Sequence, residues 1–434
     1  MKVQSPPGMR DFYPDQMRVQ NWLFDAWRRA SHAFGFSEYE GPIFEFLDLY
    51  TLKSGEGIVS ELFTFKDRGE RSFAIRPEMT PTLARMVAAR ANALPRPIKW
   101  FSIPRMCRAE KPQRGRLREF FQWNADILGV EDPLADAEVI AVAIAFFREI
   151  GLSHDQIVIR VNSRPLASAA LASLGIAPDE NERAFELIDR HDRLSEDAFI
   201  EMWDDVYGSR VSGGELTSFL VESSLEDCLA LAEKGGEQGR AAADQHRVLW
   251  DRLGDLGTRE YCEFDLRTVR GLAYYTGCVF EAHARVGGLR ALMGGGRYDD
   301  LTGLLDGPRV PGVGFGMGDA PIFEALRELG KLPQLTDNLD VYLIDADHQL
   351  FGRVLELADV LRQRNLKTDF SYKRVGVGKQ FKLAAARGAR HAIVVGHELT
   401  ERGELAIKNL TTGQQQAVLA DDLRRDPIRT LDTI

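Results

Sequence analysis

Val19, Trp22, Leu23, Ala26, Trp27 and Ala30 recur at helical spacing with Arg and Asp between them, which predicts an amphipathic helix over residues 15–34 that stops at Gly35. Phe36–Phe46 reads as an extended segment, and Pro42 within it excludes a central strand position. Two alternating runs around Asp67-Arg68-Gly69 predict a hairpin over Glu61–Arg76. A helix follows over 82–92, with Thr80 expected as its N-cap before Pro81, so Glu78 falls at a strand-to-helix corner. Lys99–Met106 and Phe120–Leu128 read as two strands. Asp132 and Pro133 start a helix that is apolar almost all round and ends at Gly151, so it should be buried against a sheet. Gln156–Asn162 is a further strand. From 163 to 257 acidic and basic residues alternate at helical spacings, which predicts a helical insertion with solvated faces.

Strands return at Tyr261–Asp265, Tyr275–His283 and Ala291–Met293, with a helix expected after Gly294-Gly-Gly-Arg-Tyr-Asp-Asp-Leu301. Pro311-Gly-Val-Gly-Phe-Gly-Met-Gly318 puts glycine at alternate positions of a strand, so one face should be bare and open to a flat ligand. Beyond a polar linker at 332–338, strands alternate with helices, which predicts a small, mostly parallel α/β domain. Val375-Gly-Val-Gly-Lys-Gln380 fails as a P-loop, because Lys373 and Gln380 stand where glycine and Ser or Thr are needed.

Length and composition narrow the class. A chain of 434 residues exceeds one ordinary core, and 44% hydrophobic with 28% charged residues is the balance of a globular protein. The formal net charge of -10 argues against polyanion binding by global charge, so a nucleic acid would have to meet local basic patches. One such patch exists. Arg105–Asp126 carries Arg105, Arg108, Lys111, Arg114, Arg116 and Arg118, with Pro112 and Gly115 enforcing a loop between two strands. Charge alone suits a solvated hairpin tip, whereas the planar forks of arginine suit a phosphate clamp. The four cysteines form no CxxC pair and the eight histidines no HExxH, so no metal site is expected. The longest apolar run, Val139–Phe147, is well short of the roughly 18 to 20 residues of a membrane span, and a cytoplasmic location is expected.

Together, the cationic hairpin, the Glu78 corner, Arg270-Gly-Leu-Ala-Tyr-Tyr-Thr-Gly277, Gly294–Leu301 and the glycine-faced strand resemble the class II aminoacyl-tRNA synthetases, and within them the histidine–tRNA ligase family. The resemblance covers nearly the whole chain. It implies an α+β fold: a class II antiparallel sheet flanked by helices over 1–330, with the insertion at about 163–257 and an anticodon-binding α/β domain over 337–434. Pro42 and its flanks resemble the family's dimer-interface motif, which implies a homodimer. The implied reaction joins L-histidine to histidine tRNA through a histidyl-adenylate made from ATP with Mg²⁺.

By the same resemblance Arg108 and Arg270 are the catalytic cations at the α-phosphate. Glu78, Met79, Thr80 and Gln122, with both arginines, surround the amino-acid end of histidine. Asp126 and Tyr275 read its imidazole, and Tyr274 and Tyr298 line the pocket. Arg108, Glu110, Arg116, Gly316 and Gly318 are the implied ATP contacts. Two departures stand out: Ala273 replaces an aspartate of the first histidine motif, and Gly318-Asp319-Ala320-Pro321 lacks the third motif's arginine. Arg116 or Arg118 is then a candidate for its place. The rival expectation is the regulatory subunit of ATP phosphoribosyltransferase, a non-catalytic relative that generally lacks the C-terminal domain.

Overall fold

The computed structural model describes residues 4–54, 61–191, 194–270, 274–286, 288–305 and 307–434. Ala273, with Gly271 and Leu272, lies outside them. The chain forms two compact units, one comprising residues up to Phe12 and Val19–Leu332, the other Tyr13–Arg18 and Pro333–Ile434.

The first unit contains β1 (Ser37–Glu38), β2 (Phe44–Phe46), β3 (Thr64–Lys66), β4 (Ser72–Ile75), β5 (Ile98–Ser102) and β6 (Arg105–Cys107). It continues with β7 (Glu119–Leu128), β8 (Ile157–Ser163), β9 (Cys262–Phe264), β10 (Cys278–Ala284), β11 (Met293–Arg297) and β12 (Gly312–Gly318). The main sheet has the order β1-β5-β7-β12-β11-β10-β8-β9, with β6 also on β7, while β2-β4-β3 form a separate small sheet. Only the outer pairs β1/β5 and β8/β9 are parallel. The middle is antiparallel and keeps one register across it, with Trp100, Asp126, Gly314, Gly296, Val279 and Asn162 in one row.

The back of the sheet is apolar for a reason visible in the two-residue period. Trp123 and Phe315 pack edge to face at 4.8 Å, and Phe146 meets Trp123 at 5.7 Å. Phe146 belongs to helix Leu134–Glu149, eleven of whose sixteen residues are buried, as its largely apolar circumference predicts. Asp132 accepts from Leu134 N at 2.8 Å, but the helix starts at Leu134, one residue later than expected, and its N-cap is Pro133. Trp27 of helix Pro14–Ala33 completes the layer, 6.0 Å from Trp123.

Several local expectations change. Lys99–Met106 is two strands, because Pro104 has no N–H to give the ladder; β7 is long enough to pair with both pieces. Thr80 is no N-cap: it is the first residue of helix Thr80–Ala88, Met79 precedes it without a side-chain cap bond, and the helix ends before 92. Among the described residues between Leu301 and β12 there is no α-helix, only the short 3₁₀ turn Gly303–Leu305. Thr302 turns the chain there, its hydroxyl donating to Pro308 O and accepting from Val310 N, both at 2.9 Å.

The insertion is helical, as its charge pattern predicts, with helices from Arg164–Ser173 through Gly236–Asp255. It has its own core around Phe199, Trp203, Tyr207 and Leu216, and this core also takes in Leu266 and Val269, just before Arg270.

The second unit has β13 (Val341–Asp345), β14 (Thr368–Phe370), β15 (His391–Val395), β16 (Glu404–Asn409) and β17 (Gln415–Leu419), in the order β14-β13-β15-β16-β17. The first three are parallel and the last two antiparallel. Gln380 is buried and spent on backbone: its amide donates to Asp345 O and Val375 O and accepts from Asp345 N. That commitment is the physical counterpart of the failed P-loop match.

Candidate active site

The front of β12 is not bare. A Cβ at Gly312 would fall 2.6 Å from the Tyr298 ring, one at Gly314 would strike Asp126 Oδ1, and one at Gly316 would lie 2.8 Å from the Gln122 amide. The alternate glycines Gly312, Gly314 and Gly316 therefore make room for three neighbouring side chains. Gly318 looks toward Pro321, which stands in the third motif where arginine is missing. On β11 the same device recurs: Gly294 clears the Arg270 guanidinium and Gly296 the Tyr275 ring.

Around this floor the polar groups pair. The Tyr298 hydroxyl donates to Asp126 Oδ1 at 2.6 Å, and Tyr274 donates to Glu78 Oε2 at 2.9 Å. Burial pushes the Asp126 carboxyl up to about 7, even against the Tyr298 hydrogen bond that favours its ionised form. Burial also raises Glu78, opposed by Arg108, the Tyr274 hydroxyl and Arg270. The three tyrosines form one cluster, with ring centroids 4.9 Å apart for Tyr274–Tyr275 and 6.2 Å for Tyr274–Tyr298. The Met79 side chain is fully buried and packs beneath Gly41, which leaves its backbone as the part that could face the site.

The cations divide. Arg108 donates from Nε to Pro77 O at 3.0 Å and lies over the Phe120 ring, half-buried; burial lowers its pKa, with Glu78 opposing. It is not spent on Glu110, whose partner is Arg116. Arg118 donates to Glu110 O at 3.0 Å, and Arg114 reaches Glu324 and Glu328 on helix Asp319–Glu328. The loop is thus tied down by the Arg116–Glu110 pair, a backbone contact and the helix, and among the described residues Lys111 is the cation of the group that stands exposed without a partner. Arg270 pairs with Glu281. Burial works against its charge, yet Glu281 more than offsets this and its pKa is raised.

Sequence reasoning passed over Glu281 and Arg164. Glu281 had a signal, being a carboxylate in the middle of the apolar strand β10, directly across from Gly294. Arg164 had none, since nothing in its neighbourhood distinguishes it from other insertion cations.

An antiparallel sheet with this cationic hairpin and glycine floor is the catalytic fold of the class II aminoacyl-tRNA synthetases. A crystal structure of histidyl-tRNA synthetase from Nostoc sp. PCC 7120 shares the fold at a TM-score of 0.80, covering 99% of this chain and 100% of that one at 24% identity. The family model "Histidyl-tRNA synthetase" matches residues 8–320, and the model "Anticodon binding domain" matches 340–425. The histidine–tRNA ligase of Opitutus terrae is 42% identical over 94% of each chain, and the chloroplastic/mitochondrial one of Arabidopsis thaliana 37% over 97% of this chain and 86% of its own. The chain belongs to the histidyl-tRNA synthetase family.

Proposed function

We propose that this protein charges histidine tRNA with L-histidine in two steps, adenylate formation and transfer, at the front of β12. The observation that carries this reading is the opposition, on one sheet face, of two half-buried arginines and two tyrosine–carboxylate pairs. In the first step the histidine carboxylate attacks the α-phosphorus of ATP and pyrophosphate leaves. Negative charge grows on the phosphoryl oxygens, and Arg108 and Arg270 are the fixed cations that stabilise it. Glu78, with Thr80 and Gln122, receives the α-amino group; Asp126, with Tyr275, receives the imidazole. An amino acid without a matching ring leaves those buried partners unpaired, a penalty that gives selectivity on the order of 10⁴-fold or more.

Mg²⁺ supplies further charge neutralisation when bound on the ATP phosphates. Among the described residues no group of three His, Cys, Asp or Glu could hold a metal ion. Glu110 Oε1, buried without a hydrogen-bond partner, is one oxygen the chain has to spare for it. Glu110, Arg116, Gly316 and Gly318 remain the proposed ATP contacts, with Arg116 reaching phosphate only by leaving Glu110.

Histidine-dependent exchange of labelled pyrophosphate into ATP tests the reading, and folded protein without exchange would sink it. The anticodon-binding match favours this assignment over the regulatory subunit of ATP phosphoribosyltransferase.

The partner surface for a homodimer is proposed at the small sheet. Phe44, Phe46 and Phe65 are 44%, 52% and 41% exposed, Ile43 beside them is 54% exposed, and all three rings pack around Phe73. So much adjacent apolar surface is unusual on a monomer. Phe46→Asp should halve the mass seen by sedimentation while leaving the far-UV spectrum unchanged; an unaltered dimer would place the interface elsewhere. No described helix is long and apolar enough to cross a membrane. The four cysteines are free and buried, which fits the proposed cytoplasmic location.

A further inference from the structure

Arg270 has a left-handed backbone, φ 56°, which costs a side-chain-bearing residue energy and persists only where its surroundings offset that cost. Two sets of contacts do so. From the backbone side, Arg164 donates from Nη2 to Arg270 O at 2.7 Å and from Nε to Val269 O at 3.4 Å. The buried Asn162 amide donates to Leu266 O and Thr268 O, each at 3.1 Å, so four carbonyls in five residues are held from one strand end. From the side-chain side, Glu281 grips the guanidinium, and its other oxygen lies 3.1 Å from His283 Nε2. Gly294 leaves the guanidinium the space it occupies.

Arg164 also belongs to the insertion. It opens helix Arg164–Ser173, lies 5.2 Å from the centroid of the Phe185 ring of the insertion core, and holds a segment whose Leu266 and Val269 pack in that same core. We infer that Glu281 and Arg164 are positioning residues for Arg270, and that through Arg164 the helical insertion is built into the adenylation step. The inference rests on the assignment of Arg270 to the α-phosphate. Its physical basis is that a charge aimed at a developing oxyanion must be fixed before the reaction, since displacement of about 1 Å forfeits on the order of 100-fold in rate.

The test is histidine-dependent ATP–pyrophosphate exchange with the full chain carrying Glu281→Gln, Arg164→Lys or Arg164→Gln, each also in an Arg270→Lys background. Wild-type exchange must be present first; its absence would overturn the proposed function itself, a separate failure. Glu281→Gln should lower kcat by about 100-fold and Arg164→Lys by roughly tenfold, with KM for histidine within about twofold. In the Arg270→Lys background both costs should shrink to less than about threefold, because the residues act through the arginine they hold. A kcat within about twofold of wild type in Glu281→Gln, or equal costs in both backgrounds, would overturn the proposal. If both Arg164 variants fail to fold, Arg164 is a residue of the fold and its half of the inference falls.

Discussion

Arg270→Ala is expected to lower histidine-dependent pyrophosphate exchange by about 10³-fold, with histidine still bound within a few-fold of its original affinity. The asymmetry follows from where the charge is needed. Histidine and ATP arrive with their charges already formed, whereas the phosphoryl centre gains negative charge only as the bond forms, so a cation aimed there acts mainly on the transition state. The same change removes the partner of Glu281, a carboxylate held at about 2 by Arg270 and His283 against burial. Without the arginine, Glu281 would take up a proton more readily and the site would lose a positive charge without gaining a negative one. Single-turnover exchange and calorimetric titration with histidine separate the two effects. Equal losses in rate and in binding would mean that Arg270 serves the ground state.

Asp126→Asn should produce the second large change, about 100-fold in kcat/KM for histidine, because the amide keeps the shape but cannot carry the charge that a ring N–H partner favours. Its signature is in the pH dependence. With the carboxyl at about 7, the wild-type site is mostly protonated at pH 6, so KM for histidine should rise as pH falls below 7. Asp126→Asn should lose that component of the profile. Stability has a matching sign. A carboxyl raised from its ordinary 3.8 favours the folded protein below that value and loses that advantage as pH climbs to 7. The free protein should thus be weakened across this window by up to roughly 4 kcal/mol, at about 1.4 kcal/mol per unit. The variant should melt higher than wild type at pH 8 and no higher at pH 4. A variant that melts lower at both values would show that Asp126 contributes packing rather than a suppressed charge.

The sequence carried the periodic and the charged features and hid the long-range ones. The helix at Leu134 was legible because an apolar circumference has one physical resolution, burial on a sheet. The alternate glycines of β12 were legible as a one-sided strand. Their purpose was not, since Asp126, Gln122 and Tyr298 come from distant positions brought alongside by register. The hairpin's charge was evident, but its ion pairs were not: Arg114 finds Glu324 and Glu328 some two hundred residues away. The missing helix after Leu301 has the same kind of origin, a single threonine hydroxyl closing a loop that composition alone cannot reveal.

The two faces of β12 also live under different mutational regimes. On the back, Val313, Phe315 and Met317 sit in an apolar layer that accepts exchanges of similar volume with modest effects on folding. On the front, any atom gained at Gly312, Gly314 or Gly316 lands on Tyr298, Asp126 or Gln122, the groups proposed to read histidine. Inherited variation along these residues should therefore alternate with a period of two, drifting at one position and frozen at the next. The frozen positions are those with no side chain to lose, and what they leave out is the room taken by Tyr298, Asp126 and Gln122.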